Sequence, residues 1–194
     1  NFVPPLPIPL VLLVLFQREL YEKFQTFGPD LATAQFVLKH GGRVKFRHSN
    51  DWIEKFEKNE NYNSKLPAEY DPFFVLVAVD LRGYPLEYCN LDIIFNLYEL
   101  TWLSLRGCKT INDWAIDKLA GEYPMLEYLD ISECINVTER GLEALYKIPN
   151  LKKLIITNFY NSIALELTCF LLEDINPNLT CEIQIPEKPL LPKE

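Results

Sequence analysis

Hydrophobic and polar positions recur in a fixed order between residues 100 and 158. Each line of the pattern has the form Leu-x-x-Leu-x-Leu or Ile, and the three lines begin at Leu100, Leu126 and Leu151, which are 26 and then 25 residues apart. Leucine-rich repeats have this spacing, and each unit supplies a short strand whose apolar side chains enter a shared core. The pattern therefore predicts an α/β fold, a short leucine-rich-repeat solenoid of about four to five repeats with parallel strands and helices.

The same pattern begins earlier, in a degenerate form, at residues 73–80. Phe74, Val77 and Val79 supply its apolar positions, 26 residues before the corresponding leucines of the line that begins at Leu100. Returning helices are expected between the strands because the chain must run back before it starts another parallel strand. They are predicted at 86–97, 111–120 and 137–146, with a fourth helix near 163–172 and a terminal strand at 181–185.

A different pattern precedes the repeats. Residues 17–27 have apolar positions at helical spacing, Gly28 interrupts them, and Pro29 suits the first turn of a second helix that ends at the paired glycines 41–42. Residues 43–47 alternate charged and apolar side chains, as a half-buried strand does. We expect four segments, which are an apolar N-terminal arm at 1–16, an α-helical and strand-containing N-terminal cap at 17–72, the leucine-rich-repeat domain at 73–186 and an extended tail at 187–194.

The arm contains an uninterrupted apolar run at residues 9–16. A membrane-spanning helix needs ~20 such residues, so the run is too short to cross a bilayer. One interpretation is a helix or extended segment packed on the repeat core. The other is a docking segment that presents Leu10, Leu13 and Phe16 to a hydrophobic partner or a membrane surface, and the four prolines before Leu10 favour this extended alternative.

Composition narrows the classes of partner. The net charge of −8 argues against a nucleic-acid-binding protein, which normally has a basic face. It also argues against unassisted adsorption to an anionic membrane. Of the five cysteines, Cys108 and Cys134 occupy equivalent repeat positions. We expect both to pack as small hydrophobic residues rather than to form disulfides.

No combination of residues in the sequence indicates catalysis. The only two histidines, His40 and His48, are not part of a recognisable nucleophile–base motif. Glycine-rich phosphate-binding loops and the usual zinc-binding spacings are also missing from the sequence. We therefore predict no catalytic, cofactor-binding or metal-binding residues, and a repeat scaffold of this kind is more typical of protein binding.

The outward-facing residues of the predicted strands form the candidate binding surface. Side chains alternate along a strand, so the residues between the core leucines point away from the core. Tryptophan, arginine and tyrosine are over-represented at binding hot spots. An alternative role for Trp102 is to pack on Tyr128, one repeat further on, and so stabilise the stack. The predicted contact residues on these strands are Trp102, Arg106, Tyr128, Asp130 and Lys153.

Two stretches taken together resemble one protein family. They are GPDLATAQFVLKHGGRVKFRHSNDWI at 28–53 and the repeat block from residue 100 to 154. The family comprises mitochondrial ATP synthase subunit s, also called coupling factor B, and its paralogue, the distal membrane-arm assembly component 2 protein. The resemblance covers roughly residues 21–158.

The detailed residue patterns are more similar to those of the assembly component than to those of subunit s. Its pattern G-G-x-V-K-F-R followed by W-I matches 41–47 and 52–53, S-L-x-x-C-x-x-x-x-D-W matches 104–114, and E-R-G-L matches 139–142. Subunit s tends to have a cysteine where this chain has Gly41. The resemblance implies a non-enzymatic protein on the matrix side of the mitochondrial inner membrane. Such a protein would help to assemble the distal membrane arm of respiratory complex I by holding its subunits.

Two alternatives remain. The first is the coupling-factor role at ATP synthase, which differs in the complex that binds the protein. The second is a substrate receptor of a ubiquitin ligase, because cysteine-containing repeats of 26 residues are typical of that class. An F-box is faintly suggested by residues 6–16, but its later elements are missing from the sequence, and residues 28–53 have no place in it.

Overall fold

A computed structural model describes residues 10–54, 66–84, 86 and 88–186. Its centre is one seven-stranded, mostly parallel sheet with the strand order β2-β1-β3-β4-β5-β6-β7. The fold is therefore mixed α/β, as the sequence predicts. The strands are β1 (Arg43–Phe46), β2 (Ile53–Glu54), β3 (Leu76–Asp80), β4 (Trp102–Ser104), β5 (Tyr128–Asp130), β6 (Lys153–Thr157) and β7 (Thr180–Gln184).

The first helix precedes the sheet, and the later helical segments return the chain between the parallel strands. Asn112, Thr138 and Ser162 each cap a helix N-terminus, because the side-chain oxygen accepts a hydrogen bond from a backbone N–H of the first turn. The segments are α1 (Leu10–Lys39), a 3₁₀ helix (Tyr88–Ile94), α2 (Asp113–Glu122), α3 (Glu139–Glu143) with a 3₁₀ turn (Ala144–Lys147), and α4 (Ile163–Ile175). The helix predicted at 86–97 is thus a 3₁₀ helix, whereas the other predicted helices and the strand β7 are confirmed.

The register of β3 corrects the alignment of the first repeat. Val79 lies opposite Leu103, 24 residues later, rather than 26 residues before Leu105 as the sequence pattern suggested. The line therefore begins at Leu76, which is buried, whereas Phe74 and Val77 are only partly buried. A shift of two residues keeps every side chain on its own face of the sheet, so the apolar pattern alone could not reveal the error.

Helix α1 is interrupted where the sequence predicts a break. Gly28 has φ 74° and ψ 169°, a conformation that favours glycine, and Pro29 starts the second half of the helix. The helix begins at Leu10, so the part of the predicted arm that the structure describes is helical rather than extended. The four prolines of the arm lie outside the described residues. Within the described ranges, no helix has a long enough apolar stretch to cross a membrane.

The second half of α1 closes one end of the core. Leu31, Val37 and Leu38 are buried against the sheet, and β1 pairs antiparallel with both β2 and β3. The Asp30 carboxylate accepts a hydrogen bond from the backbone N–H of Leu76 at 2.7 Å, which ties the helix to β3. Burial raises the pKa of Asp30, although this hydrogen bond acts in the opposite direction.

The two repeat cysteines lie in the centre of this core. Cys108 and Cys134 are buried, and their thiols donate to the carbonyl oxygens of Leu81 and Leu105 at 3.2 and 3.1 Å. Burial raises the pKa of each thiol to about 12. Both cysteines are therefore neutral packing residues, as predicted.

Candidate interaction surface

The face of the sheet opposite the core has a row of aromatic rings. Trp102 of β4 and Tyr128 of β5 are in-register neighbours, and their rings stack with centroids 4.7 Å apart and planes 9° apart. Trp52 precedes β2 and meets the edge of Trp102 at 5.0 Å and 74°. Ala78 of β3 is the in-register neighbour of Trp102, and Lys45 of β1 lies opposite Ala78 in turn. We call these three half-buried rings the aromatic row.

The aromatic row is flanked by arginines that are held in place. The guanidinium of Arg43 lies over the Trp52 ring at 4.8 Å and also donates to Asp80 at 2.8 Å. Arg82 donates to the same carboxylate at 2.6 Å. Burial would raise the pKa of Asp80, but the hydrogen bonds from Arg82 and Arg43 outweigh it and lower the pKa below its usual range. Asp80 is therefore an ionised anchor that fixes the directions of two arginines.

A second carboxylate in the same row of the sheet is also internal. Asp130 is 8% exposed and accepts hydrogen bonds from the hydroxyl and the backbone N–H of Ser132 at 2.6 and 3.0 Å. Its oxygens therefore serve the turn after β5, and a partner would meet little of this side chain. Arg106 is 45% exposed in its side chain and pairs with Glu133 at 2.6 Å.

The far end of the surface is an ion pair. Lys153 of β6 follows Tyr128 in register and pairs with Glu182 of β7 at 3.0 Å, with both side chains about half exposed. Surface pairs of this kind contribute little to stability, so both charges remain available to a partner.

The predicted site residues thus divide into three groups. The structure brings Trp102, Tyr128 and Lys153 together in one row, and Arg106 lies at the ends of the same strands. Asp130 is on the same face but buried. Leu10, Leu13 and Phe16 lie in the first turns of α1, apart from this surface along the chain, and their side chains lie outside the described residues.

Sequence reasoning missed three members of the surface, Trp52, Arg43 and Arg82. Trp52 and Arg43 belong to the stretch that carries the family resemblance, and this membership was the sequence feature that could have identified them as candidates. Their position beside Trp102 could not be inferred, because it depends on the hairpin pairing of β1 with β2 and of β1 with β3.

The surface carries side chains that could take part in protein binding. It offers flat aromatic faces and fixed guanidinium groups, which are side-chain types enriched in protein–protein hot spots, and beside them exposed charges of both signs. Among the described residues, no three His, Cys, Asp or Glu side chains converge in a way that could hold a metal ion.

Comparison with known proteins places the chain among mitochondrial relatives. It is 35% identical over 164 residues to "Distal membrane arm assembly component 2" of Drosophila melanogaster, a match that covers 84% of this chain and 56% of that protein. It is 27% identical over 148 residues to "ATP synthase subunit s, mitochondrial" of Rattus norvegicus and 24% identical to the Homo sapiens protein, in each case over 74% of this chain and 70% of the relative.

No family model matches the chain. The chain spans little more than half the length of the Drosophila relative. The comparisons confirm the resemblance inferred from the residues: the chain is similar to distal membrane arm assembly component 2 and, at lower identity, to ATP synthase subunit s.

Proposed function

We propose that this protein is a non-catalytic scaffold that binds protein subunits during assembly of the distal membrane arm of mitochondrial respiratory complex I. The observation that carries the proposal is the 35% identity over 84% of the chain with a protein named for distal membrane arm assembly. The aromatic row supports it, because preordered aromatic and arginine side chains on a rigid sheet suit protein recognition.

The architecture that we propose is a short leucine-rich-repeat solenoid of about four to five repeats with an N-terminal cap. Its support is that β3 to β7 are parallel and in register, with Val79, Leu103, Leu129, Leu154 and Cys181 at equivalent positions. In such a stack the aromatic row and Lys153 would form one continuous concave surface. That surface would hold a partly assembled module until neighbouring subunits dock.

The proposed location is the matrix side of the mitochondrial inner membrane. Relatives named as mitochondrial support the proposed organelle. The membrane arm, which the name of the Drosophila relative mentions, would supply the hydrophobic partner. The N-terminal segment with Leu10, Leu13 and Phe16 would contact these subunits or the membrane boundary, and the strands would contact matrix-exposed parts. Deletion of residues 1–16 is expected to reduce co-purification with complex I intermediates, and full recovery would contradict this part of the proposal.

The decisive experiment is affinity purification of the tagged protein from mitochondria, followed by native gels that separate the respiratory complexes. We expect co-migration with membrane-arm intermediates of complex I, and a strong decrease for Trp102→Ala and Tyr128→Ala. Tyr98→Ala is the matched control, since Tyr98 is an aromatic residue exposed by 68% outside the aromatic row. Equal binding by all three variants would overturn the role of the surface.

The same gels test the alternatives. Co-migration with ATP synthase would instead support a coupling-factor role, for which 27% identity to subunit s is the favouring observation. Recovery of a cullin adaptor would support the ubiquitin-ligase substrate receptor.

A further inference from the structure

Helix α4 presents an apolar stripe to solvent. Ile163, Leu167, Phe170 and Leu171 are spaced i, i+4, i+7 and i+8, which places them on one face of the helix. All four are more than half exposed, with values from 56% at Leu167 to 72% at Ile163. The opposite face, with Leu165, Cys169 and Leu172, packs on the core.

Helices α2 and α3 do not share this property. The exposed positions of α3 are Arg140 and Glu143, which are charged. On α2 the exposed positions include Asp117, Gly121 and Trp114. Scattered apolar residues on a surface need no explanation, but a continuous helical stripe is typical of an interaction site.

Helix α4 packs beside the last strand of the sheet. β7 is tied to α4 by a hydrogen bond from the backbone N–H of Cys181 to Glu173 at 2.7 Å. Among the described strands, β7 pairs only with β6, so its outer edge leaves backbone N–H and C=O groups without a strand partner.

The charged residues of α4 indicate what kind of partner would bind the stripe. Helix α4 has three acidic residues, Glu166, Glu173 and Asp174, and no lysine or arginine. Asp174 is exposed and lies within the stripe by helical spacing. A second copy would bring the same carboxylates together, and an anionic membrane would repel them, so both occupants are disfavoured. A segment with an apolar face and flanking lysine or arginine side chains fits both features.

We propose that the exposed face of α4 is a second docking surface, distinct from the aromatic row, that takes a basic amphipathic helix of a partner protein. Apolar contact would supply most of the binding free energy, and pairing of a partner cation with Asp174 would set its orientation. The proposal does not depend on which mitochondrial complex supplies the partner.

The test uses the full chain and two designed peptides with identical leucine stripes, one with lysine and one with glutamate on its polar face. We expect the lysine peptide to bind at least about tenfold more tightly than the glutamate peptide, as measured by fluorescence anisotropy. The double variant Leu167→Gln with Phe170→Gln should bind the lysine peptide about tenfold more weakly than the wild-type protein does. Asp174→Lys should reduce the preference between the two peptides.

Controls separate this surface from others. Met125→Gln replaces another half-exposed apolar residue outside α4 and should leave binding unchanged, as should Trp102→Ala. Equal binding of both peptides, or loss of binding with Trp102→Ala but not with the α4 variants, would overturn the proposal. Loss of co-purification in the Trp102 variant with intact peptide binding would leave α4 as an independent site.

Other occupants give different results, each of which overturns the proposal. A concentration-dependent dimer that the α4 double variant abolishes would identify a second copy as the occupant. Binding to cardiolipin-containing vesicles through the same residues would identify a membrane. Much tighter peptide binding by a chain that lacks residues 187–194 would identify the C-terminal tail.

Discussion

Gly141 of α3 lies directly against Asp113 of α2. A methyl group placed on Gly141 would lie 2.9 Å from the Asp113 Cα and 2.6 Å from its Oδ1, closer than real contacts allow. The same carboxylate accepts hydrogen bonds from the backbone N–H and the hydroxyl of Thr138 at 2.6 and 2.7 Å. One contact between successive helices therefore joins two of the stretches that carry the family resemblance. These stretches are Asp113-Trp114 and Glu139-Arg140-Gly141-Leu142.

Gly141→Ala should destabilise the protein. The added methyl group must displace the backbone of α2, and overpacking of this kind costs about 1–3 kcal/mol. The better helix propensity of alanine offsets at most about 1 kcal/mol of that cost. The measurement is the free energy of unfolding from urea denaturation.

Gly121→Ala is the matched control. Gly121 lies in α2 and a methyl group there would meet nothing within 4 Å. We expect a stabilisation of about 0.4–1 kcal/mol, because alanine restricts the unfolded chain. Equal effects of the two substitutions would show that the contact with Asp113 is not tight.

The stack of Trp102 on Tyr128 should be measurable as a coupling energy. In a double-mutant cycle with Trp102→Leu and Tyr128→Leu, the double variant is expected to be destabilised by ~0.5–1.5 kcal/mol less than the sum of the single changes, since the rings are parallel and in contact. Additive single changes would show that the rings are neighbours without net attraction.

Asp80 and Asp30 should give opposite pH dependences. The pKa of Asp80 is lowered, so the charged form stabilises the folded protein above the unfolded pKa of about 3.9, and this contribution is lost as the pH falls through the folded value. Asp80→Asn should therefore destabilise the protein at neutral pH, by about 1.5–3 kcal/mol for hydrogen bonds to a charged group, with a smaller deficit in acid.

The pKa of Asp30 is raised, mainly by burial. Its charged form is therefore less favourable in the folded protein, and the wild type loses relative stability as the pH rises through the unfolded and folded values. Asp30→Asn retains an oxygen that can accept from Leu76 and should gain stability relative to wild type only above this range. Denaturant midpoints of both variants between pH 3 and pH 7 measure the two trends, and parallel curves would contradict them.

Several elements could be predicted because they depend on local pattern. The leucine lines that begin at Leu100, Leu126 and Leu151 predicted β4 to β6, and Gly28 with Pro29 predicted the break in α1. The register of β3 could not be predicted, because the apolar residues from Phe74 to Leu81 fit the repeat in two alignments of the same parity. Only the pairing of Val79 with Leu103 decides between them.

The part of the candidate surface that lies on the repeat strands could be predicted, whereas the part on the N-terminal hairpin could not. Trp102, Tyr128 and Lys153 recur with the repeat, so their alignment follows from its period. Trp52 reaches Trp102 from a hairpin with no period, and contacts of that kind depend on tertiary structure. The exposed stripe of α4 was hidden because the helix is apolar on both faces, and its sequence does not show which face packs inward.

The two ends of the described sheet differ in the backbone groups that they leave without a strand partner. At one end, β1 and β2 form an antiparallel pair whose outer member is only two residues long in the described part, a common way to discourage strand addition. At the other end, β7 and α4 present an open edge and an apolar face. Within the described residues, the β7 end therefore offers more unpaired backbone groups for the addition of a strand than the β2 end does.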